Sequence, residues 1–552
     1  MPPVDDGDTH REREHFFGQA KLVAAITMLS RVFGMVRDMA IASLGASRLT
    51  DAFQMAFAVP NLFRRLFGEG ALSAAFVPVF TETYEHGGLD RARRLLANAL
   101  GVLGAVLAAL AAIIIAALAA WQAFRPGPAD RQLMLTLIQL MMPFMVTVCL
   151  LALGAAALNC RGHFAYPAVA PIVLNVAIIV TVWLLAPALR GNLSGRLRIV
   201  ALAVTAAGVL QLAGVLWLLR RSGFAIRPRL RPLQPGIGRM LRIMAPVLVG
   251  IGFLQIASFF DYVAAWVLTA TEHSPTLSMF GRQVARPLES GVLVRVAMAQ
   301  RMYQLPLGVL ATSLGVAVFP LLSRYAARGD KPALRDSLNR ALRLAFMEGL
   351  ATGVGLLLLA EPVMRLIFVR GNFTGEDAAR SADILRMYVL GMWAFCGYQV
   401  VTRAFYALKD PKTPMKVSCA MAGLYMIVVL TLVWIPGVGP RAFGLAAAFT
   451  FSLNVLILGA ILRRRLGRLG GRKLAVSVAR SAVACAVMAG AVLALKWWLT
   501  GQANWLVVAA CIPVGAAVFL GAARLLRCPE LAELRGRLKG REPYNEPKDD
   551  EA

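Results

Sequence analysis

Arginines inside long apolar stretches are the residues of this sequence best suited to chemistry. A guanidinium group is planar and binds two phosphate oxygens at once. A charge within a membrane span costs about 2.5–3.5 kcal/mol on insertion scales, so it marks either function or a buried pair. The arginines of this kind, which outnumber the acids on the same stretches, are Arg31, Arg37, Arg64, Arg65 and Arg301. They predict a water-filled, cationic cavity that binds a phosphate-bearing substrate.

Three neighbouring charges also allow a purely structural interpretation. Asp38 could neutralise Arg37, and Asp51 could cap the second apolar span near the membrane surface. A functional role is equally open for both. Arg295 could extend its guanidinium to the membrane surface.

Prolines accompany the arginines at two places. Pro60 precedes Arg64 and Arg65, and Pro306 follows Arg301. A proline frees a backbone carbonyl and kinks a helix. These kinks suit helices that bend as a cavity changes its access, and a fixed kink needed for packing is the alternative.

The apolar stretches indicate a membrane protein. Hydrophobic residues make up 58% of the 552-residue chain and charged residues 16%, whereas about a quarter of a soluble domain is charged. Stretches such as Val102–Ala120 and Leu474–Leu495 match the roughly 20 residues that a helix needs to cross a bilayer. The net charge of +28 comes mainly from short loops between apolar spans. That pattern is typical of topology signals rather than of nucleic-acid binding.

The spacing of apolar runs predicts an all-α integral membrane protein with fourteen transmembrane helices. Loops after even-numbered spans are richer in Lys and Arg, which predicts that both termini lie in the cytoplasm. Arg220–Arg242 and Arg463–Lys473 should lie against anionic headgroups. The predicted segments are a cytoplasmic leader 1–19, an N-lobe 20–221 with six spans, a basic linker 222–238, a C-lobe 239–464 with six spans, a final helix pair 473–526 and a disordered cytoplasmic tail 529–552.

An internal repeat supports two six-helix lobes. Superposing Pro78 on Pro320, or Arg220 on Arg463, gives nearly the same offset, and the turns around Leu158 and Leu408 match at a similar one. The halves enter the membrane with the same polarity, so the repeat is parallel, with a pseudo-twofold axis near the membrane normal. The last two helices lie outside it, and a cleft between the lobes is the expected substrate site.

Several motifs then identify a family. The runs S-R-V-F-G-M-V-R-D at Ser30–Asp38, T-D-A-F at Thr50–Phe53 and P-N-L-F-R-R-L-F-G-E-G-A-L-S-A-A-F-V-P at Pro60–Pro78 resemble the N-terminal signature of the MurJ (MviN) family. Further matches are Q-R-M-Y-Q-L-P-L-G at Gln300–Gly308 and R-A-F-Y-A-L-K-D-P-K-T-P at Arg403–Pro414. The family comprises lipid II flippases of the multidrug/oligosaccharidyl-lipid/polysaccharide exporter superfamily.

The resemblance implies a transporter of the bacterial inner membrane that flips the undecaprenyl-diphosphate-linked peptidoglycan precursor by alternating access. It places the head group on Arg31, Arg37, Arg64 or its neighbour Arg65, and Arg301, and the lipid tail in a groove of the last two helices. Supporting or gating roles fall on Asp38, Asp51, Asn61 and Glu69. Family members often carry acids where this chain has Gln300 and Gln304, which puts acid-dependent gating there in doubt.

No cofactor is expected, and coupling to Na⁺ or H⁺ is open. Asp261 is a weak candidate for a sodium ligand. The expected partners are lipid II, membrane lipids and other cell-wall synthesis proteins, with the chain a monomer. The rival functions are export of another lipid-linked oligosaccharide or of drugs, and an intramembrane transferase. A transferase would need clustered His and Asp or paired carboxylates, and the sequence shows none. The roles of Glu348 and of the long 271–289 loop stay open.

Overall fold

A computed structural model describes residues 6–66, 72–185, 187, 192–224, 235–272, 274–279 and 281–531. The start of the predicted leader, Glu69, most of the predicted linker and the tail beyond residue 531 lie outside these residues. The chain is almost entirely helical within them.

The described elements follow one another along the chain with short connections. They are α1 (Asp6–Ala42), α2 (Arg48–Phe63), α3 (Leu72–Phe124), α4 (Ala129–Asn159), α5 (Ala165–Val180), α6 (Leu193–Arg221), α7 (Pro235–Leu268), β1 (Thr276–Met279), β2 (Arg282–Ala285), α8 (Val292–Pro306), α9 (Thr312–Arg328), α10 (Lys331–Phe368), α11 (Gly375–Val389), α12 (Met392–Ala407), α13 (Lys412–Leu432), α14 (Arg441–Leu466), α15 (Gly471–Trp498) and α16 (Asn504–Leu525).

Many of these helices can cross a membrane. Ten helices of the described residues are long and apolar enough, or eleven if the bent pair α11 and α12, which meet at 46°, is one span. One of the ten, Ala75–Phe124, joins the end of the second predicted span (51–84) to the third (92–122) and bends at Gly88, whose φ is 67°. A multi-pass helical membrane protein is therefore confirmed. The number fourteen and the repeat stay predictions.

The chain divides into two compact units. Unit 1 comprises Met1–Val294 and Arg370–Phe373, and unit 2 comprises Arg295–Val369 and Thr374–Ala552. The predicted repeat divides the chain elsewhere, at residues 222–238, and that division stays a prediction. In unit 1, α4 packs against α2, α3 and α6, and in unit 2, α10 packs against α11, α12 and the final pair α15 and α16.

Glycines allow close helix packing in each unit. A Cβ on Gly208 of α6 would collide with the side chains of Phe144 and Thr147 on α4. A Cβ on Gly349 of α10 would lie 2.7 Å from the Cα of Trp393 on α12. Small residues at helix contacts are typical of membrane bundles, where close approach of backbones replaces the hydrophobic driving force.

Both predicted kink prolines lie beside irregular helix. Pro60 is inside α2, which continues into a π-helical turn at residues 64–66. Pro306 ends α8 and is followed by a π-helical turn at Leu307–Ala311 before α9 begins. Such turns inside helices often lie at functional sites. Bending of these helices during transport stays a prediction.

The long 271–289 loop contains a small antiparallel hairpin. Strands β1 and β2 pair from Thr276 with Ala285 to Met279 with Arg282. Arg286 secures its base by donating to the carbonyls of Val267 at 2.6 Å and Thr269 at 3.3 Å. The loop for which the sequence offered no interpretation is therefore a folded element.

Candidate anion-binding residues

The first predicted arginine cluster is held by two helices of unit 1. Arg37 on α1 donates from Nη2 to Oδ1 of Asp38 at 2.7 Å and from Nη1 to Oδ1 of Asn175 on α5 at 3.1 Å. Asn175 is buried and donates to the carbonyl of Ser30 at 3.4 Å. Asp38 therefore pairs with Arg37, as one of the two interpretations has it, and a functional role for Asp38 stays a prediction. The sequence did not indicate Asn175 as a partner of Arg37, because the two residues are 138 positions apart in the chain.

Arg37 keeps donor capacity beyond these contacts. A guanidinium has five N–H groups. Acceptors among the described residues take three of its donor positions, namely Nε and Nη2 bonded to Asp38 and Nη1 bonded to Asn175. The anchored group can therefore still bind anion oxygens.

The arginines near the end of α2 differ in their burial. Arg64 is partly buried and donates from Nε to Oδ1 of Asn61 at 3.1 Å. Asn61 in turn donates to the carbonyl of Phe57 at 3.1 Å, one turn earlier. Arg65 is exposed, as is Arg31 on α1. Asn61 therefore orients Arg64, and its supporting role in transport stays a prediction.

Asp51 does not cap its own helix, so that prediction is wrong. The cap of α2 is Ser47, which exchanges hydrogen bonds with Thr50. Asp51 is fully buried and accepts from the backbone N–H groups of Gly291 at 2.8 Å and Val294 at 3.1 Å. It therefore caps the start of α8, where free N–H groups favour a carboxylate.

Arg295 is paired inside the protein and does not extend its guanidinium into solvent, so that interpretation is also wrong. Its side chain is buried and donates from Nε and Nη2 to Oδ1 of Asp377 at 3.1 and 2.9 Å. The other carboxylate oxygen of Asp377 accepts from the N–H and hydroxyl of Thr374, the N-cap of α11. Asp377, which is 82 positions away in the chain, neutralises Arg295, so the guanidinium does not need to extend toward water.

The second half of α8 presents a different surface. Gln300 donates to the hydroxyl of buried Tyr388 on α11 at 2.9 Å. Tyr303 stacks on the ring of Tyr388 with 4.9 Å between centroids. Arg301, which follows Gln300, and Gln304, which follows Tyr303, are both exposed. At position 300 this chain therefore has a neutral hydrogen bond.

The remaining candidates lie apart from these clusters. Asp261 is a half-buried residue of α7, and no group of three or more His, Cys, Asp or Glu side chains in the described part of the chain could hold a metal ion. The sodium role of Asp261 stays a prediction. Glu348 is buried on α10, and Glu69 lies outside the described residues.

Comparison with known proteins decides the family. The family model described as lipid II flippase MurJ matches residues 41–512. The chain belongs to the MurJ family. A probable lipid II flippase MurJ of Vibrio cholerae serotype O1 is 30% identical over 503 residues, covering 88% of this chain and 89% of the relative. The lipid II flippase MurJ of Burkholderia cenocepacia is 30% identical over 454 residues, covering 80% and 83%.

Solved structures agree with the fold of the MurJ family. The lipid II flippase MurJ in an inward closed conformation superposes with a TM-score of 0.71 at 20% identity, covering 94% of this chain and all of that one. An inward-facing multidrug resistance MATE transporter of the MOP superfamily superposes with a TM-score of 0.63 at 14% identity, covering 82% and 98%. At these identities, the likeness establishes the fold and nothing more.

Proposed function

We propose that this chain flips lipid II from the cytoplasmic to the periplasmic leaflet of a bacterial inner membrane. The family match over residues 41–512 carries this proposal, because the matched relatives are named lipid II flippases. The helical bundle with many candidate spans supports it. Lipid II is amphipathic and carries a diphosphate, and the arginines within the apolar helices can bind that negative charge.

The proposed binding residues are Arg31, Arg37, Arg64, Arg65 and Arg301. The bonds of Arg37 to Asp38 and Asn175 support this role, because a guanidinium fixed beforehand loses little side-chain entropy when it binds an anion. Diphosphate bound to the arginines offsets their mutual repulsion, and this gain should favour closure toward the cytoplasm. Opening toward the periplasm then releases the head group by alternating access.

The proposed membrane arrangement is the one that the sequence predicts. It has fourteen spans in two six-helix lobes, a final pair that guides the lipid tail, and both termini in the cytoplasm. Within the described residues, α15 and α16 pack on each other and on α10. We propose that the chain acts as a monomer without catalysing a covalent reaction.

The energy source is proposed to be the membrane potential or an ion gradient. Moving one net charge across the membrane is worth about 2.3 kcal/mol per 100 mV. The bond from Gln300 to Tyr388 argues against protonation at position 300 as the driving step, because an amide does not titrate. Likeness of fold to drug exporters does not favour drug export, since it says nothing of the cargo.

Complementation tests this function. Bacteria depleted of their own lipid II flippase should regain growth and normal shape when they express this chain. The pool of lipid-linked precursor, which rises on depletion, should fall back to its original level. A chain that inserts into the membrane in normal amounts but restores neither growth nor the precursor pool would contradict the proposal.

A further inference from the structure

The start of α15 forms one wall of a cationic pocket in unit 2. The pocket has a volume of about 580 Å³. Its cationic lining comes from separate parts of the chain, namely Arg343 of α10, Arg468 of the preceding loop, and Arg472, Lys473 and Arg480 of α15. Pro529, which follows α16 in the chain, also lines the pocket. Because α10, α15 and the chain after α16 all contribute lining residues, these cations surround a concave site rather than lie on a single exposed loop.

Two of these cations are fixed by the protein. Arg343 is largely buried and pairs with Oε1 of Glu530 at 3.3 Å. Glu530 is itself fully buried and accepts a bond from the hydroxyl of Ser477 at 2.8 Å. Arg480 donates to the carbonyl of Arg527 at 3.0 Å. The pocket is lined by five cations, and the carboxylate of Glu530 is paired with one of them, Arg343, so the lining keeps a large positive surplus.

The backbone adds to the attraction for anions. Gly470 and Gly471 line the pocket where α15 begins. Gly470 has φ 68° and ψ 40°, and within the described chain no side chain caps this end of α15. Asn339, a buried residue of α10, holds the turn by donating to the carbonyl of Leu469 at 2.6 Å. Uncapped N–H groups at a helix start are favourable for phosphate oxygens.

We infer that this pocket is a second anion site, which binds the phosphate group of an anionic ligand. The five cations that line it are distinct from the five proposed to bind the diphosphate during transport. On the predicted topology it lies at the cytoplasmic surface, where acidic phospholipids are found. A phospholipid headgroup and free inorganic phosphate offer the same chemistry. The inference does not depend on the proposed flippase function.

The test compares the wild-type full-length chain with two double variants of it. Arg472→Gln with Lys473→Gln removes two charges from the pocket. Arg463→Gln with Arg464→Gln removes two exposed charges from the same basic segment, outside the lining. The purified proteins are titrated in phosphatidylcholine nanodiscs with phosphatidylglycerol, and retention of lipid is measured by native mass spectrometry. Thermal unfolding without phosphatidylglycerol verifies that all three proteins are folded.

The pocket variant should bind phosphatidylglycerol about tenfold or more weakly, and the control variant less than about twofold. Inorganic phosphate is titrated in a separate arm without phosphatidylglycerol. Binding there with the same dependence on Arg472 and Lys473 would support the site with free phosphate as a source. Equal weakening by the two double variants would overturn the inference, because it would show diffuse surface attraction. No weakening by the pocket variant, in both arms, would overturn it as well.

Discussion

The two halves of α8 put the same residue type to different uses. Arg295, in the first half, is buried and bonded to Asp377. Arg301, six positions later on the same helix, is exposed beside Gln304. The first half is also capped by Asp51, while the second half ends at Pro306 and a π-helical turn. The sequence alone therefore does not show whether an arginine in an apolar span is functional. The burial of the arginine and the residues that it contacts distinguish a structural role from a functional one.

Breaking the first half should have the largest effect on stability. Asp377→Ala leaves Arg295 buried without its carboxylate, which should cost about 3–5 kcal/mol. The measurement is the apparent Tm of the purified protein in detergent micelles. The double variant Arg295→Met with Asp377→Leu should recover most of the loss, because it removes both charges. An unchanged Tm for Asp377→Ala would mean that the pair does not anchor this half.

Removing the cap of α8 should have the next largest effect. Asp51→Ala leaves the N–H groups of Gly291 and Val294 buried without their acceptor, at a cost of about 1–3 kcal/mol. Ser47→Ala, which removes the cap of α2, is the matched control, and it should cost about 1 kcal/mol because Ser47 is only half-buried. The measurement is the apparent Tm of each variant. A smaller decrease for Asp51→Ala than for Ser47→Ala would contradict the assignment of Asp51 as the cap of α8.

The sequence predicted the arginines and prolines but not their partners on other helices. A charge in an apolar run is visible locally, as is a proline that breaks a helix. The acceptor of Arg295 lies 82 positions away, and the N–H groups bonded to Asp51 lie 240 and 243 positions away. Such contacts depend on which helices pack together, and one sequence does not specify this. Asp377 also resembles an ordinary acid in the first turn of a helix, which concealed its second role.

Gln300 tests the second half with a smaller effect. Gln300→Leu removes the hydrogen bond to Tyr388 and should cost about 0.5–1.5 kcal/mol. Tyr388→Phe should cost a similar amount, and the double variant should cost less than the sum of the two. Strict additivity of the two changes in apparent Tm would show that the bond contributes nothing.

An exposed ion pair should have the smallest effect. Arg465 and Asp410 approach to 2.6 Å, closer than Arg295 and Asp377, but both are partly exposed. Arg465→Ala, which leaves the two hydrogen bonds from Thr413 to Asp410 in place, should therefore cost only about 0.2–1 kcal/mol of stability, measured as a change in apparent Tm. Hydrogen bonds from Thr413, and then the neighbouring Arg465, lower the pKa of Asp410 from 3.8 to about 2.

The pH dependence of this pair follows from the sign of the shift. A carboxyl whose pKa is lowered by folding stabilises the protein above its unfolded pKa and loses that contribution as the pH falls through about 2. The difference in apparent Tm between wild type and Asp410→Ala should therefore stay constant from about pH 5 to pH 9. A difference that changes within that range would contradict this account of Asp410.

The most direct test of the central claim is complementation by two arginine variants at matched levels in the membrane. Arg301→Ala removes an exposed charge from the second half of α8, and Arg463→Ala removes an exposed charge from the end of α14. Arg301→Ala should insert normally and fail to support growth of cells depleted of their lipid II flippase, whereas Arg463→Ala should support it. Equal growth with the two variants would contradict the claim that arginines within the apolar helices bind the transported diphosphate.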